Sequence, residues 1–253
     1  MTIFVFDIDG VIRDVSGSYR RALADTVEYF VMQLQGELYR PSPEEIDDLK
    51  SEGIWNNDWE ASQELIKRYL QEKPLTVSYE DIVAFFQSRY RGTQSDWSDG
   101  YIASEPLIAN QEYFAGLTEA NIGWGFFSGA TRASASYVLH RLEISSPVLV
   151  AMEDAAGKPD PTGFLLATKQ IESTQNAIAD LVVYVGDTVA DMLTVLKARE
   201  YDPSYKYLAV GVIPPHIGEE SRERYAALLK ENGADIVLQS VLELTPQLNL
   251  SKS

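Results

Sequence analysis

The sequence predicts an α/β fold: a parallel β-sheet with helices on both faces, interrupted by a small all-α domain. Three observations predict it. Six short runs are rich in β-branched and aromatic residues, the composition of buried strands. Segments with apolar residues three and four apart separate these runs, and strands alternating with helices build parallel sheets covered on both sides. One long stretch, roughly residues 16–99, carries helical periodicity and no strand run.

The first run, Met1-TIFVF-Asp7, breaks off at acidic residues and a glycine. The helical stretch follows. Its first helix puts Tyr19, Leu23, Val27, Phe30, Val31 and Leu34 on one face. A second opens with Ser42 as N-cap, Pro43 at the first helical position and Glu45 as the acid of a capping box, with Gly53 as its stop. A third runs from near Asp58 to Lys73, and a fourth starts at Ser78 and carries Ile82, Phe85, Phe86 and Tyr90. Arg13 to Gly17 and the polar segment Gly92 to Glu105 tether this block. The expected domains are therefore a core of residues 1–15 and 100–253 and a helical insert of 16–99.

Beyond the insert the alternation resumes. Helices are expected over roughly 108–121, 130–142, 161–171, 188–199 and 219–231. Between and after them come the strand runs Gly123-WGFF-Ser128, Pro147-VLVA-Met152, Leu181-VVYV-Gly186, Tyr207-LAVGV-Ile213 and Asp235-IV-Leu238.

Composition narrows the function. With 21 Lys and Arg against 38 Asp and Glu, the net charge of −17 repels a phosphate backbone or an anionic bilayer, so neither nucleic acid nor membrane is an expected partner. The absence of cysteine excludes disulfides, thiolate metal sites and a cysteine nucleophile. No apolar run approaches the ~20 residues needed to span a bilayer. No basic segment precedes the first apolar run, so no signal peptide is read and a cytoplasmic location is expected.

Ligands of open α/β sheets gather at the carboxyl ends of the strands. There this sequence places Asp7-Ile8-Asp9-Gly10, Ser128-Gly129-Ala130-Thr131-Arg132, Gly157-Lys158-Pro159-Asp160-Pro161 and Gly186-Asp187-Thr188-Val189-Ala190-Asp191. Carboxylates, a hydroxyl and an ammonium in such loops are the inventory of magnesium-assisted phosphoryl transfer. A carboxylate can attack a phosphate ester and split one hard displacement into two easier ones, once a cation offsets the repulsion between anions. Asp7 and Asp187 on neighbouring strands could supply the one or two carboxylates that Mg2+ usually takes. Asp9 could protonate the leaving oxygen and then deprotonate the attacking water. Ser128 and the amides after it, at a helix start, favour phosphate oxygens, and Lys158 meets the remaining negative charge.

The ordered set FDIDGVIRD, FFSGATR, GKPDP and VGDTVAD resembles the four motifs of the haloacid dehalogenase-like hydrolase superfamily. The helical insert after the first motif is similar to the cap of its phosphoglycolate phosphatase and β-phosphoglucomutase branch. The resemblance implies a Rossmann-like core and a phosphatase acting on a small phosphorylated metabolite through an aspartyl-phosphate. It implies Asp7 as nucleophile and metal ligand, and Asp9 as acid/base that also gives its main-chain carbonyl to Mg2+. It further implies Ser128 and the Gly129 amide on phosphate, Lys158 as charge stabiliser, Asp187 on the metal and Asp191 outside it. Dehalogenases lack the second aspartate, because halide leaves without a proton, so Asp9 argues against dehalogenation. A phosphomutase on the same framework is the alternative. A phospho-receiver module fits poorly, since receivers order these groups differently and need about half the length. Candidate specificity residues are Trp55, Asn56, Asn57, Asp58 and Trp59 in the insert, and Arg132 after the second motif.

Overall fold

The first strand, β1 (Thr2–Phe6), stands in the middle of the sheet that organises the chain. The computed structural model describes residues 1–246 except 56, 72, 73 and 75. Six strands among them form one parallel sheet: β1, β2 (Gly123–Phe127), β3 (Leu149–Val150), β4 (Leu181–Gly186), β5 (Lys206–Val212) and β6 (Ile236–Leu238). Their order is β3-β2-β1-β4-β5-β6, so the chain winds outward from β1 in both directions. That makes the carboxyl ends around β1 the topological switch point, where open α/β sheets bind their ligands.

β1 shows why the run is near-continuously apolar. Phe4 and Phe6 enter one core layer with Phe114, Phe126 and Val183. Ile3 and Val5 enter the opposite layer with Phe164, Tyr184 and Met192. Both faces are buried, so both sets of alternating residues must be apolar.

The chain divides into two compact units, one of residues 1–14 and 107–253 and one of residues 15–106. The second unit contains α1 (Tyr19–Gln35), α2 (Pro43–Ser51), α3 (Asp58–Leu70) and α4 (Tyr79–Tyr90). Leu23, Val27, Phe30 and Val31 of α1 are buried, as are Leu65 and Ile66 of α3 and Ile82 and Phe86 of α4. Ser42 and Glu45 form the capping box of α2. Residues beyond 99 stay with this unit: Tyr101 donates to Asp25 at 2.7 Å, Arg21 lies over the Tyr101 ring, and Ser18 donates to the buried Glu105. Side-chain bonds of this kind keep residues up to Pro106 in the helical unit.

The sheet-bearing unit adds α5 (Gln111–Glu119), α6 (Arg132–Arg141), α7 (Thr162–Gln175), α8 (Val189–Tyr201) and α9 (Arg222–Glu231). Several helices start later than periodicity implies, because a capping side chain takes the preceding position. Asn110 caps α5 by accepting from Tyr113 N, and Thr131 caps α6 by accepting from Ser134 N. β3 is also shorter than its apolar run, since the Met152 N–H donates to Ala130 O at 3.0 Å instead of continuing the ladder to β2 at Ser128. No helix among the described residues is long and apolar enough to cross a membrane.

Candidate active site

Asp7 extends β1 by one residue, its N–H donating to Val185 O at 2.8 Å, and this aims its side chain past the strand end. Oδ1 accepts from the Ile8 N–H at 2.8 Å and Oδ2 lies 2.9 Å from Lys158 Nζ. Lys158 is only 4% exposed, and its ammonium is also 2.6 Å from Asp191 Oδ1. The rings of Phe127 and Tyr184 lie 5.4 and 5.5 Å from it. One buried cation thus bridges carboxylates from the first and fourth motifs.

Asp191 is saturated. Its Oδ2 accepts from Asp187 N, Thr188 N and Thr188 Oγ1 at 3.2, 2.9 and 2.6 Å, and the Thr188 N bond with its reciprocal, Asp191 N to Thr188 Oγ1 at 3.2 Å, makes the capping box that starts α8. Its Oδ1 takes Lys158 and the Tyr184 hydroxyl, at 3.0 Å. So many donors leave it an anchor for Lys158 rather than a free ligand.

Asp187 differs. Carboxylate oxygens of Asp7, Asp187 and Asp191 lie within 4.8 Å of one another, yet Asp187 Oδ1 is buried without a hydrogen-bond partner among the described residues. Orphaned buried oxygens are rare and mark a missing donor or cation. Gly10 is shaped around the same carboxylate: its φ is +74°, and an added Cβ would stand 2.1 Å from Asp187 Oδ2. Only glycine fits there.

The electrostatics agree. Burial, opposed by Lys158 and reinforced by Asp191 and Asp9, pushes the Asp7 carboxyl up to about 7. Burial, with Asp191 and Asp7 beside it, pushes Asp187 well above the usual carboxylate range. Burial works against the charge of Lys158, but Asp191 and Asp7 outweigh it and raise its pKa. For Asp191 burial is likewise outweighed, by Lys158 and Thr188, and its carboxyl is lowered. Three acids share one ammonium, so the cluster is short of positive charge. Hard carboxylate oxygens of this kind suit a divalent cation, with Asp7 and Asp187 the pair able to hold it.

The phosphate-binding candidates occupy the next loop. Ser128 N continues the ladder to Val150 O at 3.0 Å, and Ser128 Oγ accepts from the Ala130 N–H at 3.1 Å. Gly129 sits inside that turn, just before the cap of α6. Asp9 stands apart from the acid cluster, its Oδ1 accepting from Arg13 Nε at 2.6 Å.

The remaining candidates are engaged locally. Arg132 pairs with Asp154 and donates to Leu149 O at 3.2 Å, which ties the start of α6 to β3. In the helical unit Trp55 donates to Glu52, Asn57 caps α3, and Asp58 pairs with Lys50 at 2.7 Å. Trp59, half-buried, donates its backbone N–H to Asn57 Oδ1, while Asn56 lies outside the described residues. Three residues went unread in the sequence. Tyr184 orients Asp191, Tyr225 of α9 donates to Asp187 O at 2.8 Å, and Arg13 holds Asp9. Tyr184 left one trace: a hydroxyl inside a fully buried strand needs a partner.

The solved structures similar to this chain include a phosphatase from Thermococcus thioreducens, at TM-score 0.63 and 21% identity, covering 89% of this chain and 99% of that one. A haloacid dehalogenase family hydrolase from Deinococcus radiodurans, with bound phosphate and sodium, matches at TM-score 0.62 and 18% identity, covering 96% of this chain and 92% of that one. A curated relative, imidazoleglycerol-phosphate dehydratase of Phytophthora nicotianae, is 29% identical over 96% of this chain. The chain spans about half the length of that relative, 52%. The family profile described as haloacid dehalogenase-like hydrolase matches residues 1–199, which takes in all four loops around Lys158. This chain belongs to the haloacid dehalogenase-like hydrolases.

Proposed function

We propose that the chain is a magnesium-dependent phosphatase that hydrolyses a small phosphate monoester through an aspartyl-phosphate on Asp7. The observation that carries this is the buried cluster itself: Lys158 held between Asp7 and Asp191, with the orphaned oxygen of Asp187 beside them. The metal, held by Asp7, Asp187 and the Asp9 carbonyl, would offset the charge of nucleophile and phosphate. The Asp7 carboxylate attacks phosphorus as the ester oxygen leaves, and Asp9 supplies that oxygen with a proton. Water then cleaves the acyl phosphate, Asp9 takes its proton, and Asp7 is restored. Ser128 and the Gly129 amide orient the phosphoryl oxygens, while Lys158 meets the charge that builds on them.

Phosphate release from p-nitrophenyl phosphate and from a panel of phosphorylated metabolites should be strong with Mg2+ and near background after chelation. A chain inert toward every member of the panel would refute the assignment. Interconversion of hexose phosphate isomers in place of release would move it to a phosphomutase.

The raised acids give a second expectation. Free carboxylates titrate near pH 4, so between about pH 4 and 7 the unfolded chain has lost protons that folded Asp7 and Asp187 still hold. Through these groups the metal-free protein loses stability as pH rises across that window. Mg2+ takes the place of the protons. Saturating Mg2+ should raise the melting temperature by roughly 5–10 °C at pH 8, and by less than half that at pH 5.5. A gain independent of pH, or one kept by Asp187→Asn, would place the ion elsewhere.

A further inference from the structure

Asp9 has to give up and regain a proton at one place in space, and nothing in the four motifs says which of its two oxygens does so. We propose that Arg13 is a positioning residue that settles this, holding Oδ1 of Asp9 and leaving Oδ2 to carry the transferable proton. The proposal rests on the assignment of Asp9 as acid/base made above.

Arg13 is fully buried, while the Asp9 side chain keeps 22% of its surface exposed. Both nearby guanidinium nitrogens converge on one oxygen. Nε donates to Asp9 Oδ1 at 2.6 Å and the terminal NH2 stands 2.5 Å from the same atom. The backbone fixes the arginine that does this. Gly10 N donates to Arg13 O at 3.0 Å, and Ile12 N and Arg13 N both donate to Ile8 O, at 2.8 and 3.2 Å. Arg13 also forms β-bridges to Asp9 and to Leu107. A side chain this buried on a backbone this constrained has little freedom to follow its partner.

A carboxylic proton can sit on either oxygen. Both Arg13 nitrogens converge on Oδ1, so a proton placed there would point at N–H groups. Oδ2 is therefore the oxygen left to exchange a proton with the reactants, while Oδ1 goes on accepting from Arg13. When the ester P–O bond breaks, the Oδ2–H bond breaks with it and the proton moves to the leaving oxygen. The carboxylate that remains keeps its contact with Arg13. When water attacks, its O–H bond breaks, the proton returns to Oδ2, and the bond from Asp7 to phosphorus breaks. Arg13 stays partnered throughout and Asp9 need not rotate between the half-reactions.

The test is the dependence of the first half-reaction on the leaving group. Alcohol release is followed in a single turnover with Mg2+ present, for p-nitrophenyl phosphate and for glycerol phosphate. A nitrophenolate leaves without a proton and an alkoxide does not. Arg13→Met should slow release of glycerol by roughly 10–100-fold and of nitrophenolate by only roughly threefold, with Arg13→Lys in between. Equal losses on both substrates, or no loss, would overturn the proposal. Asp9→Asn serves as the reference. If it shows no selective loss of glycerol release, the acid/base assignment itself falls. If it does and Arg13→Met does not, only the role of Arg13 falls. Should both arginine variants fail to fold, the wild-type protein with Mg2+ and a phosphate mimic decides: Oδ2 must face the leaving-group side with Oδ1 on Arg13, and the reverse orientation overturns the proposal.

Discussion

Asp7→Asn should abolish turnover, by about 10⁴-fold or more, while the melting temperature at pH 8 stays within about 3 °C of the parent. The two halves of this result have separate causes. Asparagine cannot form the acyl phosphate, and Ser128, Lys158 and bound metal are left with no nucleophile to assist. The fold, by contrast, gives up little. Asp7 carries its charge under protest, pushed up to about 7 by burial among other acids, so at pH 8 its ionised form is a strained guest. An amide removes that penalty. It gives up one good acceptor, either for the Ile8 N–H or for Lys158, worth about 1 kcal/mol. Gain and loss are similar in size. Steady-state rates measured beside thermal unfolding check the prediction. Retained activity would strip Asp7 of the nucleophile role; lost activity with a collapsed melting temperature would make it a structural residue instead.

Lys158→Met should do the opposite to stability. The ammonium is buried, 2.9 Å from one carboxylate and 2.6 Å from another, and methionine offers similar length without charge. Breaking a buried pair by removing one partner costs about 3–5 kcal/mol, because the remaining charges stay desolvated. Asp7, Asp187 and Asp191 would then face each other with no cation among them. Urea unfolding in chelator should show this loss at pH 8 and a smaller one at pH 5.5, where Asp7 takes up a proton. Added Mg2+ should recover more stability in the variant than in the parent, since the ion no longer competes with an ammonium. Turnover should fall by roughly 10²–10³-fold even with metal saturating, the size expected when one stabiliser of transition-state charge is removed. Unchanged unfolding in chelator would mean that the three acids do not repel as their spacing requires.

The strands and the acids at their ends were legible for the same reason: each signal is local. Phe4 to Phe6 and Val182 to Val185 are apolar because both sheet faces are covered, and Asp7 and Asp187 follow directly where the strands stop. What escaped was pairing between distant or disguised groups. Arg13 interrupts Val11-Ile12 as if by accident, and its partner Asp9 lies four residues back across a tight turn. Tyr225 reaches the backbone of Asp187 from thirty-eight residues away, a separation that no periodicity encodes. Arg132 stands out as an unusual residue in its motif, a candidate substrate contact for which a helix-surface arginine is the favoured reading, and in the fold it pairs with Asp154 and donates to the Leu149 carbonyl. Edge strand β3 is shorter than its apolar run because apolar content does not reveal where a backbone N–H leaves the ladder, as Met152 does for Ala130 O.

Asp191 is at once the acid that closes the first turn of α8 and the counter-charge that seats the lysine of another loop. Winding that turn and seating the lysine are consequently a single event. Were α8 to unravel at its start, Lys158 would lose its 2.6 Å counter-charge and the loop carrying Asp187 its tether.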